Sequence, residues 1–194
     1  KDGRVFALDW ETGQNKLWEV KLGRGSIQGG VHFGMAAGGT TVYVPINDMN
    51  DTRNGEWLDP ETARPGVSAV DAVTGEVLWS HVQEDVCGEG RPFCDPGVSA
   101  AITATDGAVI AGHLDGIIRI YDGPTGDIIW SYDTTTPVEG TNGVTAKGGG
   151  MSGSGPALGA GHMVINSGYG LYNHEAGNAL LVFAPKSSGT MSAR

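Results

Sequence analysis

The residues best suited to chemistry stand in short polar stretches between apolar runs. Lys147 opens Lys147-Gly148-Gly149-Gly150. A loop ammonium attracts anions and polarises carbonyl oxygens, and the glycines let backbone N–H groups approach a ligand closely. A solvated loop lysine is the competing reading. Asp48 begins an oxygen-rich stretch, Asp48-Met49-Asn50-Asp51-Thr52-Arg53-Asn54-Gly55-Glu56. Its carboxylate suits a general base or a calcium ligand. The spacing is not that of an EF-hand loop, and a polar surface insertion fits as well. Asn142, in Thr141-Asn142-Gly143-Val144, suits a donor to a carbonyl or a calcium ligand, or simply a turn before glycine. His32 suits a ligand hydrogen bond, or local backbone satisfaction at the start of a strand. Gly153-Ser154-Gly155 is not a nucleophile elbow, and no Gly-Lys-Ser/Thr follows the glycine-rich run from 148 to 155 to make a P-loop.

The elements that position these residues follow from composition and repetition. The chain has 194 residues, 33 of them glycine and nine proline, with 12 basic and 22 acidic side chains and a net charge of -10. Without clustered Lys and Arg, that charge argues against a nucleic-acid surface. No apolar run approaches the roughly 18 residues of a membrane helix. The two cysteines lie in Cys87-Gly-Glu-Gly-Arg-Pro-Phe-Cys94. A disulfide closing this small loop is expected, and with it an oxidising compartment, periplasmic or extracellular. Free thiols and a metal pair are the alternatives, the latter short of ligands.

Three segments repeat one pattern: Ala7-Leu-Asp9-Trp-Glu-Thr12-Gly13 leading to Trp18, Ala69-Val-Asp71-Ala-Val-Thr74-Gly75 leading to Trp79, and Ile120-Tyr-Asp122-Gly-Pro-Thr125-Gly126 leading to Trp130. Each reads as a hairpin. Asp and Thr bond the turn backbone, and Gly takes the positive φ. The Trp then lies over a neighbouring Thr-Gly turn and docks one sheet on the next. Apolar strand pairs precede the second and third hairpins. A fourth set, Gly155–Leu158, His162–Asn166 and Ala179–Phe183, lacks both the turn and the Trp.

No helix is legible. The expected fold is all-β: a β-propeller with tryptophan-docking repeats, about half of an eight-bladed ring. The expected units are the outer strands of one blade (1–22), full blades at 30–82 and 97–133, a last partial blade at 153–184, and a flexible tail over 186–194. Residues 1–185 thus make a partial propeller that missing sequence or a second copy completes. Lys1-Asp2-Gly3-Arg4-Val5-Phe6 reads as a turn entering a strand in mid-domain.

The Ala-x-Asp-x-x-Thr-Gly-x-x-x-Trp signature resembles the docking motif of pyrroloquinoline quinone (PQQ) propellers. Gly30-Val-His-Phe-Gly-Met-Ala36, Gly112-His-Leu-Asp-Gly116, Thr141-Asn-Gly-Val144, Lys147-Gly-Gly149, Asn166-Ser-Gly-Tyr-Gly170 and Gly177-Asn-Ala-Leu-Leu-Val-Phe183 are similar to the C-terminal half of polyvinyl-alcohol-dehydrogenase-like quinoproteins. The resemblance implies oxidation of a small or polymeric alcohol, with PQQ and Ca2+ as cofactors, a carboxylate as proton acceptor and a cytochrome c as a possible electron acceptor. Phe33 stands where a Trp is expected, so any stacking on the cofactor is reduced rather than lost. A non-catalytic scaffold or protein-binding propeller is the other reading.

Antiparallel alternation sends the loop after each blade's second strand, and the blade-to-blade linkers, to one axial mouth. That face gathers Gln28, His32, Asn47, Asp48, His113, Asp115, Asn142, Lys147, Ser167 and Tyr169. Within it, Asp48 is the candidate base. His32, Phe33, Asn142, Lys147, Gly148 and Tyr169 are the candidate cofactor contacts, and Asp48 and Asn142 the calcium ligands. Asp9, Asp71 and Asp122 are structural by their place in the turns.

Overall fold

The computed structural model describes residues 1–26, 28–49, 61–88, 91–170, 172–185 and 191–193. Its strands are β1 (Arg4–Leu8), β2 (Lys16–Lys21), β3 (Ala36–Gly38), β4 (Thr41–Ile46), β5 (Gly66–Asp71), β6 (Val77–Val82), β7 (Thr103–Thr105), β8 (Ala108–Gly112), β9 (Ile117–Asp122), β10 (Ile128–Asp133), β11 (Val138–Glu139), β12 (Thr145–Ala146), β13 (Ala157–Gly159), β14 (His162–Ser167), β15 (Ala179–Pro185) and β16 (Met191–Ala193). They pair antiparallel as a two-stranded sheet β1-β2, three meanders β3-β4-β5-β6, β7-β8-β9-β10 and β13-β14-β15-β16, and a separate hairpin β11-β12. The chain is therefore a partial β-propeller, as the repeats require.

Apolar clusters lie between successive sheets. Val5 and Leu22 pack with Val44, Ile46 and Val70 between the first two. Tyr43, Val67 and Ala69 meet Val98, Val109 and Tyr121 between the second and third. Ile110 and Ile118 meet Met163, Ile165, Leu181 and Phe183 between the third and last. The inner sheets are covered on both sides, so β5 is buried almost throughout. The two end sheets alternate. On β15, Ala179, Leu181 and Phe183 are buried while Leu180 is exposed; on β1, Val5 is buried while Phe6 and Leu8 are exposed.

The tryptophans lock these layers. Trp18 Nε1 donates to Ala72 O at 3.0 Å, and Trp79 Nε1 donates to Gly123 O at 2.8 Å. Both acceptors directly follow the turn Asp. Each indole covers the turn Gly so closely that a Cβ on Gly75 or Gly126 would lie 2.7 or 2.6 Å from ring carbon Cδ2 of Trp18 or Trp79. The Asp carboxylates build the turns. Asp71 Oδ1 accepts from the backbone of Val73 and Thr74 and from the Thr74 hydroxyl. The Thr74 bonds hold its pKa below the usual carboxylate value. Trp130 has no following Thr-Gly turn and instead meets Phe183 edge-on at 5.5 Å. Among the described residues, nothing lies within 4 Å of a Cβ built on Gly13.

Two details differ from the sequence reading. Met191–Ala193, expected within a flexible tail, pairs with β15 as the fourth strand of the last sheet. The unpaired edge of β15 supplies a ready row of backbone partners, which no side-chain pattern announces. The linker after β10 also carries the β11-β12 hairpin.

Replacing Gly126 with Ala meets both a positive φ of 78° and the Trp79 ring. The overpacking and left-handed costs together come to roughly 2–4 kcal/mol. Gly13→Ala meets only its φ of 64°, about 1 kcal/mol. Denaturant unfolding is expected to show the larger midpoint loss for Gly126→Ala; equal losses would mean that the indole seat contributes nothing.

Candidate functional site

The mouth loops are stitched into one belt by their backbones. Asn47 N donates to Gly30 O, Val98 N to Ile46 O, Leu114 N to Gly97 O, Met151 N to His113 O, Gly150 N to Glu175 O and Asn178 N to Lys147 O, all at 2.8–3.1 Å. Residues from 30 to 178 are thereby brought to one face. Close approach requires glycine here: a Cβ on Gly97 would lie 2.2 Å from Asn47 O.

Asp48 is not placed as a base. It is fully buried with a positive φ of 43°. Its carboxylate accepts from Arg24 N (2.7 Å), Gly25 N (2.9 Å) and Arg64 N (2.9 Å). It ties the segments at 24–25 and at 64 to its own loop. The remainder of the oxygen-rich stretch, residues 50–56, lies outside the described residues. Among the described residues no three acidic, histidine or cysteine side chains gather to hold a metal. Asp48 and Asn142 stand in separate parts of the fold, one buried and one exposed at a turn.

Asn142 sits exposed at the β11-β12 turn, where its Oδ1 accepts from Val144 N at 3.1 Å. It performs the turn chemistry that was its alternative reading. The hairpin and β15 flank a groove of about 600 Å³ lined by Asn142, Val144, Asn178 and Leu180 among others. Gly148 is buried, and its N–H is no free donor, because it bonds Thr134 O at 2.8 Å. Gly149 N donates to Ser167 Oγ at 3.0 Å. A Cβ on Gly148 would lie 2.3 Å from Thr134 Oγ1, so this glycine serves packing.

Lys147 is exposed. Its side chain is 53% exposed, with Nζ 3.9 Å from Glu175 Oε1. His32 is half-buried, its Nδ1 donating to Ser99 O at 3.0 Å. Desolvation lowers its pKa against the opposing Ser99 bond. Phe33 meets His32 edge-on at 4.4 Å and is 47% exposed; Tyr169 is 56% exposed. Both rings are available to a ligand.

His113 is wholly buried. Pro96 O can only accept, so Nδ1 carries the hydrogen (2.8 Å), and Nε2 accepts from Tyr121 OH at 2.9 Å. Burial first, then Arg119, keeps this imidazole neutral far below its usual range. Asp115 makes its expected turn bond to Ile117 N, and also a buried two-point pair with Arg119 at 3.1 and 2.7 Å. Burial raises its pKa more than Arg119 lowers it.

Sequence reasoning missed Arg91, His174 and Glu175. Arg91 donates to Asp115 O at 2.8 Å and pairs with Glu175 at 2.5 Å. It lies inside the loop closed by the Cys87–Cys94 disulfide, which forms as expected. The one basic residue between the cysteines was the available signal. His174 is 7% exposed, and among the described residues neither ring nitrogen has a hydrogen-bond partner. Its pKa falls to about 4, through burial first and the charge of His32 second.

The fold and this belt define the class: a tryptophan-docked propeller of the PQQ type. The family model PQQ_2, described as "Outer membrane protein assembly factor BamB", matches residues 1–151, and the chain belongs to that family. It is 36% identical over 180 residues to a "Polyvinylalcohol dehydrogenase" of Sphingopyxis sp. (strain 113P3), covering 91% of this chain and 27% of that protein. It is 34% identical over 194 residues to a "Polyvinylalcohol dehydrogenase" of Pseudomonas sp, covering 95% of this chain and 29% of that protein. The chain thus spans under a third of the curated relatives it matches. Among solved structures, BamB from Moraxella catarrhalis superposes with a TM-score of 0.60 at 18% identity, covering 99% of this chain and 46% of that one, a likeness of fold alone.

Neutral buried His174 generates a pH dependence. Its folded pKa of about 4 lies below the ordinary 6.5. The unfolded chain therefore takes up a proton as pH falls through 6.5 while the folded one does not, and stability declines from about pH 6.5 towards 4. His113 and His32 act in the same direction. Thermal melts are expected to decline less steeply across this window for His174→Gln than for the parent; parallel curves would refute the buried neutral imidazole.

Proposed function

We propose that the protein to which this chain belongs is a PQQ-dependent alcohol dehydrogenase acting on a small or polymeric alcohol. The observation that carries the reading is Lys147, an exposed ammonium on the glycine-packed floor of the mouth, in a chain similar to proteins named polyvinylalcohol dehydrogenase. PQQ, when bound, supplies the two-electron oxidising power.

This chain's residues supply position. The Lys147 ammonium attracts a cofactor carboxylate or quinone oxygen. The Phe33 and Tyr169 rings offer apolar faces to a planar ligand. His32 is oriented by Ser99 and presents its ring beside Phe33. The reading places the protein in an oxidising compartment, in keeping with the disulfide, and allows a cytochrome c as electron acceptor.

A scaffold role is the second reading. It is favoured by the family description.

Purified intact protein titrated with PQQ and calcium, then assayed for alcohol-dependent dye reduction, separates the two. Lys147→Ala is expected to reduce turnover at least about tenfold, the effect of losing one charge-assisted contact. Failure of folded protein to bind PQQ, with partner capture unchanged in Lys147→Ala, would favour the scaffold.

A further inference from the structure

The Arg91–Glu175–Lys147 group joins three separate parts of the mouth. Arg91 comes from the disulfide loop, Lys147 from the linker before the last blade, and Glu175 from the β14–β15 connection. Arg91 pairs closely with Glu175 Oε2 while Lys147 Nζ stands 3.9 Å from Oε1. Two cations thus share one carboxylate, leaving a local charge of about +1 in a chain of net charge -10. The Glu175 side chain is 16% exposed, against 30% for Arg91 and 53% for Lys147. The carboxylate therefore sits lower in the mouth than the groups it bridges.

The loop that carries Glu175 is held in an uncommon form. Tyr172 and Asn173 both have left-handed backbone, with φ of 59° and 62°. Such conformations cost energy in residues with a Cβ and persist where surrounding contacts impose them. Here Gly150 N binds Glu175 O at 2.8 Å, and His174 is buried next to it without a hydrogen-bond partner. The turn delivers Glu175 to the two cations at the expense of backbone strain and an unsatisfied imidazole.

We propose that Glu175 is an internal competitor for an anion site formed by Arg91 and Lys147, occupying the place of a carboxylate of a small polycarboxylate ligand. The site rests on the reading of Lys147 as anion-facing and adds Arg91 as its second cation. Arg91 is well suited, because its Nη2 donates both to Asp115 O at 2.8 Å and to Glu175 Oε2 at 2.5 Å, which anchors the guanidinium while it holds a carboxylate. A ligand carboxylate displaces Glu175, frees the 172–175 turn to relax, and keeps both cations paired. The Cys87–Cys94 bond matters because it fixes the loop from which Arg91 reaches across.

Citrate is a suitable probe, measured by titration calorimetry on the intact oxidised protein. Glu175→Gln removes the competitor and is expected to tighten citrate about fivefold or more, whereas Arg91→Gln is expected to weaken it about tenfold, the scale of one charge-assisted bond. Glu175→Asp retains the charge on a shorter arm and is expected to fall between parent and Glu175→Gln, a check if the Gln variant folds poorly. Reduction of the disulfide is expected to weaken citrate binding to the parent and leave Arg91→Gln unchanged. Unaltered or weaker binding by folded Glu175→Gln would overturn the competitor. PQQ titrated separately keeps the two readings apart. Tightened citrate without PQQ binding refutes the cofactor and not the competitor; PQQ binding unaffected by Glu175→Gln refutes the competitor and not the cofactor.

Discussion

The contact on which the rest of the molecule depends is an indole lying on a glycine. A sheet with one buried face gains most by covering the other, and stacked blades do this only if their spacing is held. Trp18 and Trp79 set that spacing twice over. Each ring touches a turn glycine in the next blade, and each Nε1 finds the carbonyl just after the turn Asp. A side chain on that glycine would move the neighbouring sheet outward. Apolar clusters between the layers would then lose contacts that no local adjustment restores. The Asp–Thr bonding of the turn maintains the carbonyl and the glycine in position to receive the ring.

This spacing also fixes the mouth. With the blades held, the loops above them approach so closely that glycine is required at several crossings, and polar groups there are satisfied within the floor. Asp48 ties three amides, Gly148 bonds Thr134, and the Asp115–Arg119 pair is buried with a backbone N–H on the carboxylate. Removing one partner of such a buried pair costs more than the pair contributes. These groups are spent within the floor, and among the described residues Lys147, Arg91, His32, Phe33 and Tyr169 remain at least partly open above it.

What the sequence disclosed and what it hid follow from the range of the interactions. The repeats are legible because every bond that defines the turn lies within a few residues, so Asp71, Thr74, Gly75 and Trp79 form a local signature. The mouth face is legible too, since antiparallel alternation decides where each loop emerges. Individual roles within it are not local. Asp48 looks like a free acid in its own segment, yet its partners are at 24, 25 and 64 and its backbone turns it inward. Gly148 looks like a donor, yet Thr134 takes its N–H. Arg91 and Glu175 meet across 84 positions, and neither segment alone signals the other. Asn142 differs, because its bond from Val144 N spans two residues and is legible beside the glycine.

The seat above Gly13 has a broader consequence. Each docked blade gives a ring to its successor and receives one from its predecessor, so the stacking has a direction, like a line of people each with a hand on the next shoulder. The last sheet breaks the line. It has no Thr-Gly turn to receive Trp130, which rests on Phe183 instead, and no Trp follows residue 130 to be passed on. A second copy set beyond that sheet would find no indole for its own Gly13. A ring made by simply doubling these 194 residues would therefore lack, at Gly13, the contact that orders the others.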